Sequence, residues 1–174
     1  EVMGDTSFSE EEMIIAKRMI HTTGDFDYRN IIVFQNDFIS EAKKSISGGA
    51  KIFTDTKMAS IGINKPALAK ANCELKCFID DERVFRMSKE LKTTRSSCAV
   101  DLAVAEGIDI FVIGNAPTAL FRILELVKEG KLNPKFIVGV PVGFVGAAES
   151  KEYLREFAIP SISTVGNKGG SNVA

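Results

Sequence analysis

One histidine, His21, stands among the 174 residues, and imidazole is the side chain that exchanges protons most readily near neutral pH. General acid or base work is one reading of it. The other is a helix-terminal imidazolium that the helix dipole stabilises and that does nothing else. TTRSS sets Thr93, Thr94, Arg95 and Ser96 at the start of a helix, where a guanidinium either grips a carboxylate bidentately or is a solvated first-turn arginine. In GNAPT, the N–H groups around Asn115 open a helix with positive dipole character, suited to carboxylate or phosphate. Glycines there and in PVGFVG, Gly143 included, either admit a ligand to the backbone or only make tight turns. NKGGS joins Lys168 to Gly169 and Gly170 and is an anion-cradling loop or a plain surface turn.

Other chemistry is excluded or made improbable by what is missing. A single imidazole rules out metal sites built on two or more of them, the zincin helix among them. Neither G-x-G-x-x-G, G-x-x-x-x-G-K-[ST] nor G-x-S-x-G occurs, which speaks against a Rossmann dehydrogenase, a P-loop enzyme or an α/β-hydrolase. Cys73 and Cys77 lie in an alternating stretch, and four strand residues separate them by about 13 Å, so they read as packed thiols rather than a ligand pair. With Cys98 they make an odd count of three, which fits a reducing compartment, the cytoplasm, and not a disulfide framework. Lys plus Arg number 22 against 23 Asp plus Glu, leaving no basic excess for a nucleic-acid partner. No apolar run approaches the ~18 residues of a membrane span, and no signal-peptide pattern opens the chain, although it begins at Glu1 rather than Met.

Positioning the chemical residues requires a regular frame, and hydrophobic periodicity supplies one. Ser9 with Glu12 forms a capping-box pattern, Met13, Ala16 and Ile20 recur at helical spacing, and Gly24 stops the helix with His21 in its last turn. Strands are expected at Ile31–Phe34, Lys51–Asp55, Cys73–Ile79, Ile108–Ile113, Phe136–Val140 and Ser161–Thr164. Between them lie helical stretches at 37–46, two that divide near Thr93 and Thr94, one with Asn115 as N-cap and Pro117 in its first turn, and one at 147–157. Alternation of this kind predicts a single α/β domain over 1–174: a doubly wound, mostly parallel sheet with helices on both faces. Ligands of such sheets bind outside the carboxyl ends of the strands. DTKM, GNAPT and PVGF are the loops there.

Five segments carry a resemblance: RMIHTTGDFDY (18–28), TDTKMASIGINK (54–65), TTRSS (93–97), IGNAPTALFRILEL (113–126) and VGVPVGFVGAAESKE (138–152). In this order, and through the closing NKGGS, the chain closely resembles the precorrin-8X methylmutase family of corrin biosynthesis. That family carries an additional N-terminal segment and a longer final helix with no counterpart in these 174 residues. The resemblance implies an isomerase that moves a methyl group from C-11 to C-12 of precorrin-8X or cobalt-precorrin-8, with no cofactor and no protein-bound metal. It puts the family's catalytic histidine on His21, as a general acid toward a ring nitrogen. It gives the substrate's rim carboxylates to Arg95 first and Lys168 next, with Thr93, Thr94, Ser96, Asn115, Gly143, Gly169 and Gly170 lining the tetrapyrrole site. A homodimer with sites near the subunit boundary is implied as well. Two other readings stay open on the residues alone: a tetrapyrrole carrier without chemistry, and an α/β enzyme for small anionic metabolites.

Overall fold

The structure, a computed structural model, describes residues 7–174. The first helix, α1 (Glu10–Thr23), begins as the capping box requires: the Ser9 N–H donates to Glu12 Oε2 at 2.8 Å and the Glu12 N–H to Ser9 Oγ at 3.3 Å. It ends at Gly24 in the left-handed region, φ 66°. A single turn, α2 (Tyr28–Ile31), leads into β1 (Ile32–Gln35) and α3 (Phe38–Ser47). Then come β2 (Lys51–Thr54), two short helices, α4 (Lys57–Gly62) and α5 (Lys65–Lys70), and β3 (Glu74–Lys76). The second half runs α6 (Glu82–Leu91), α7 (Arg95–Ala105), β4 (Ile110–Ile113), α8 (Pro117–Lys128), β5 (Phe136–Gly139), α9 (Ala147–Leu154) and β6 (Ser161–Thr164).

The strands form one sheet in the order β1-β6-β5-β4-β2-β3. Only β1 runs antiparallel, pairing Ile32 with Thr164 and Gln35 with Ser161. Because β1 is reversed, its start, and with it the end of α1, lies at the carboxyl end of the parallel strands. Strand order turns back on itself between β2 and β4, which makes that crevice the topological switch point.

Two apolar clusters sandwich the sheet, as a doubly wound fold demands. Phe53, Phe111 and Ile137 face α6, α7, α8 and α9, while Ile52, Ile110, Val112 and Phe136 face α1 and α3. Each such fully buried side chain contributes about 1.5–3 kcal/mol relative to exposure. Among the described residues, no helix is long and apolar enough to cross a membrane.

Three expectations shift at the level of local structure. The strand expected at Cys73–Ile79 shrinks to Glu74–Lys76, because its only neighbour, β2, offers three paired positions, Lys51 to Phe53. Cys73 is left outside the strand, its thiol donating to the Ile46 carbonyl at 3.4 Å. Asn115 is not the N-cap of α8: Ala116 holds that place, in extended conformation. Finally, α4 and α5 fill the stretch after DTKM to which the sequence reading assigned no element, each opened by a side-chain cap, Thr56 Oγ1 accepting the Ala59 N–H and Asn64 Oδ1 the Ala67 N–H.

Candidate active site

The loops at the carboxyl end of the sheet close on one another through specific contacts. Lys168 reaches back to the turn after α1, its Nζ 2.6 Å from Asp25 Oδ2 and 2.9 Å from Asp27 Oδ2. These bonds hold the Asp25 and Asp27 carboxyls below the usual carboxylate value and push the Lys168 ammonium up. Tyr28 adds a long hydroxyl contact to the Gly169 carbonyl, 3.5 Å. Gly169 lies against the end of β5, where a Cβ would run into the Val140 carbonyl, so only glycine fits. The Gly143 N–H donates to the Asn167 carbonyl at 3.2 Å from a backbone at φ 140°, again a glycine conformation. Thr56 Oγ1 and Ser171 Oγ are 2.8 Å apart. The segments RMIHTTGDFDY, TDTKM, PVGF and NKGGS therefore meet as one surface.

His21 lies on the exposed side of α1, opposite the buried Ala16, Met19 and Ile20, in a shallow depression of about 330 Å³ with Lys17, Gly24 and Phe26. Arg18, one turn earlier, opens into the neighbouring and much larger cleft of about 890 Å³ between α1, α4 and the chain end. Met58, Ile61 and Ile14 give that cleft apolar walls, while Ser171 and Asn172 supply polar edges. No carboxylate pairs with Arg18 among the described residues. Sequence reasoning passed over this arginine, although its place three residues before His21 puts the two on neighbouring parts of one helical surface.

TTRSS is arranged differently. Thr94 caps α7, accepting the Ser97 N–H at 3.2 Å, and its hydroxyl meets that of Thr118 at 3.1 Å, which ties the segment to the start of α8. Thr93 borders a separate depression of about 440 Å³ with Asp101 and Arg122. Arg95 is exposed, its guanidinium carbon 4.8 Å from the centroid of the Phe85 ring, an arrangement that leaves its N–H donors open to a carboxylate. Ser96 is half-buried beside it. Within one chain, no contact joins Thr93, Thr94, Arg95 or Ser96 to His21 or Lys168.

The amides around Asn115 correct a sequence expectation. Asp55, which follows β2 and is 2% exposed, accepts the Gly114 N–H on Oδ1 at 3.0 Å and the Asn115 and Ala116 N–H groups on Oδ2 at 2.8 and 2.7 Å. Burial pushes the Asp55 carboxyl up, and the three amides oppose that rise. The anion site at the switch point is thus filled by the protein's own carboxylate, and these amides are not available to a substrate.

A second buried charge also escaped the sequence reading. Lys151 on α9 is 0% exposed; its Nζ donates to the Lys168 carbonyl at 2.7 Å and to Thr164 Oγ1 at 3.0 Å. Burial holds its ammonium down to about 8, with the Arg155 charge adding to the effect. Because the ordinary value is 10.5, the unfolded chain binds more protons at this lysine between about pH 8 and 10.5, and stability rises with pH across that window. Thermal melts of the wild type and Lys151→Met over this range are expected to show the wild type gaining on the variant, by on the order of 3 kcal/mol in all. A constant difference would contradict the assigned titration.

Comparison with known proteins places the chain in a family. The family described as CbiC, precorrin-8X methylmutase, matches residues 1–174. A cobalt-precorrin-8 methylmutase of Salmonella typhimurium is 49% identical over 162 residues, covering 92% of this chain and 75% of that protein. A protein of the same name from Methanocaldococcus jannaschii is 45% identical over 179 residues, covering 100% and 81%. Among solved structures, that of precorrin-8x methyl mutase from Thermus thermophilus superposes with a TM-score of 0.91 at 35% identity, covering 98% of this chain and 83% of that one. A match along the whole sequence, joined to the same architecture, means that the chain belongs to the precorrin-8X methylmutase family.

Proposed function

We propose that the protein is an isomerase of cobalamin biosynthesis that transfers a methyl group within precorrin-8X or cobalt-precorrin-8, from C-11 to C-12 of the ring. Family membership over the full chain is the observation that carries this reading. The geometry supplies its chemical support: one imidazole at the exposed end of α1, beside a largely apolar cleft, and three cations around the same end of the sheet, Arg18, Arg95 and Lys168. An apolar wall suits a macrocycle face, and separated cations suit carboxylates spaced around its rim.

In this mechanism His21 donates a proton to a ring nitrogen. The added charge draws density from the conjugated system, the C-11 to methyl bond breaks as the C-12 to methyl bond forms, and the nitrogen returns its proton. Nothing is oxidised or reduced, and the methyl is already on the substrate, so no cofactor enters. Arg95 and Lys168 hold carboxylates, Arg18 joins them at the large cleft, and Gly143, Gly169 and Gly170 line the approach. Asn115 enters through its side chain, its N–H being committed to Asp55. For Lys168, a substrate carboxylate takes the place of Asp25 or Asp27.

We assign the working form to a homodimer. His21 and Arg95 are both exposed and separate within one chain, and the loop after β5 presents Phe144, 94% exposed, and Val145, 88% exposed. A second copy covers such apolar surface and encloses the ring away from water.

The deciding experiment incubates the purified protein with precorrin-8X and, in parallel, with cobalt-precorrin-8, with no added cofactor. A change in the visible spectrum and a product isomeric with the substrate are expected. Tight binding of both without conversion would favour a carrier.

A further inference from the structure

Among the described residues, buried lysines and carboxylates number two, Asp55 and Lys151. Three amides account for Asp55. Lys151 has no carboxylate within ion-pairing distance, and a buried ammonium without one is costly where a methionine of similar shape would pack at no such cost. What it holds is the main chain of the NKGGS loop. The Lys168 carbonyl accepts two bonds, from Lys151 Nζ at 2.7 Å and from the Thr164 hydroxyl at 2.6 Å. Immediately after it Gly169 abuts the end of β5, and the Gly170 N–H donates to the Val140 carbonyl at 2.9 Å. The peptide from Lys168 to Gly170 is therefore fixed from α9, from β6 and from β5, and its one long side chain points to Asp25 and Asp27, a few residues beyond His21.

We propose that Lys151 is a positioning residue of the substrate site: its buried ammonium clamps the Lys168 carbonyl and so fixes where the Lys168 side chain meets a carboxylate of the tetrapyrrole. This rests on the methylmutase reading given above. Lys151 touches no substrate and acts through Lys168. A charged donor serves better than a neutral one, because bonds from an ionised donor are shorter and about twice as strong.

A double-mutant cycle in the protein tests the inference, with Lys151→Met, Lys168→Met and the double variant assayed for conversion of cobalt-precorrin-8. Lys151→Met is expected to raise KM about tenfold with kcat changed less than about twofold, and to melt no lower than the wild type at pH 7. In the Lys168→Met background the same change is expected to add nothing further, since the lost contact is shared. Amide hydrogen exchange at Gly169 and Gly170 is expected to quicken in Lys151→Met. Should that variant fail to fold, Thr164→Val removes the other donor to the same carbonyl and enters the same cycle. An unchanged KM, or losses that multiply in the double variant, overturns the inference, as does a lower melting temperature with KM intact, the pattern of a purely structural lysine. If the unmutated protein converts nothing, the methylmutase reading fails by itself; unchanged exchange at Gly169 and Gly170 would then still overturn the clamp, and faster exchange would support it.

Discussion

Replacing His21 by alanine is expected to lower kcat by about 10²–10⁴, the range typical of losing a general acid, while leaving KM and stability near their wild-type values. The separation of these effects follows from where the side chain stands. His21 is exposed on the last turn of α1, and the helix is held by Ala16, Met19 and Ile20 on its other face. Alanine is the better helix former, so the helix loses little by the exchange. The carboxylate contacts proposed for Lys168, Arg18 and Arg95 do not pass through the imidazole, so binding is expected to persist. The measurement is the rate of spectral conversion at saturating substrate, alongside a binding titration and a melt. Full activity in His21→Ala would falsify the assigned role. A loss confined to KM would instead make the histidine a binding group.

The frame that carries these residues was legible because its signals are local. Ser9, Glu12 and Gly24 bound α1 as their chemistry requires, and the unbroken apolar run Phe136–Val140 supplies a strand buried on both faces. What the sequence could not show depends on partners far along the chain. Lys168 reads as a free cation until Asp25 and Asp27, more than 140 residues earlier, are found beside it. Nothing in the segment around Lys151 marks it as buried, and only the return of the chain after β6 covers it. The helices α4 and α5 escaped because each has six residues and they bury only Ala59 between them, too little to establish a helical period. The catalytic assignment of His21 rests on resemblance, since spacing alone favoured the dipole-stabilised helix-terminal imidazolium over a catalytic one.

Asp55 provides the largest expected effect on stability. Its carboxylate bridges the switch point between β2 and β4 by accepting three N–H groups at the start of α8, two of them on buried residues. Asp55→Ala removes every one of these acceptors and leaves a space too enclosed for the amides simply to turn to bulk water. An unsatisfied buried donor costs about 1–3 kcal/mol, so a loss of roughly 3–5 kcal/mol is expected, or roughly 10 °C in melting temperature for a chain of this size. The same geometry predicts rescue. With Asp55 shortened to a methyl group, the three converging N–H groups and the positive end of α8 become the open anion site that the GNAPT sequence suggests. Formate, which matches the carboxylate that was removed, is expected to raise the melting temperature of Asp55→Ala, its stabilisation growing logarithmically with concentration as RT ln(1 + [L]/Kd). The wild type, whose site is already filled, is expected to show no such dependence beyond the general effect of salt. Titrating both proteins with formate against chloride at equal ionic strength separates the two terms. If the variant melts within a degree or so of the wild type, the three bonds are not what closes the switch point. If it is destabilised but indifferent to formate, the loop after β4 has collapsed into the space, and the carboxylate is then required to shape the loop as well as to satisfy it.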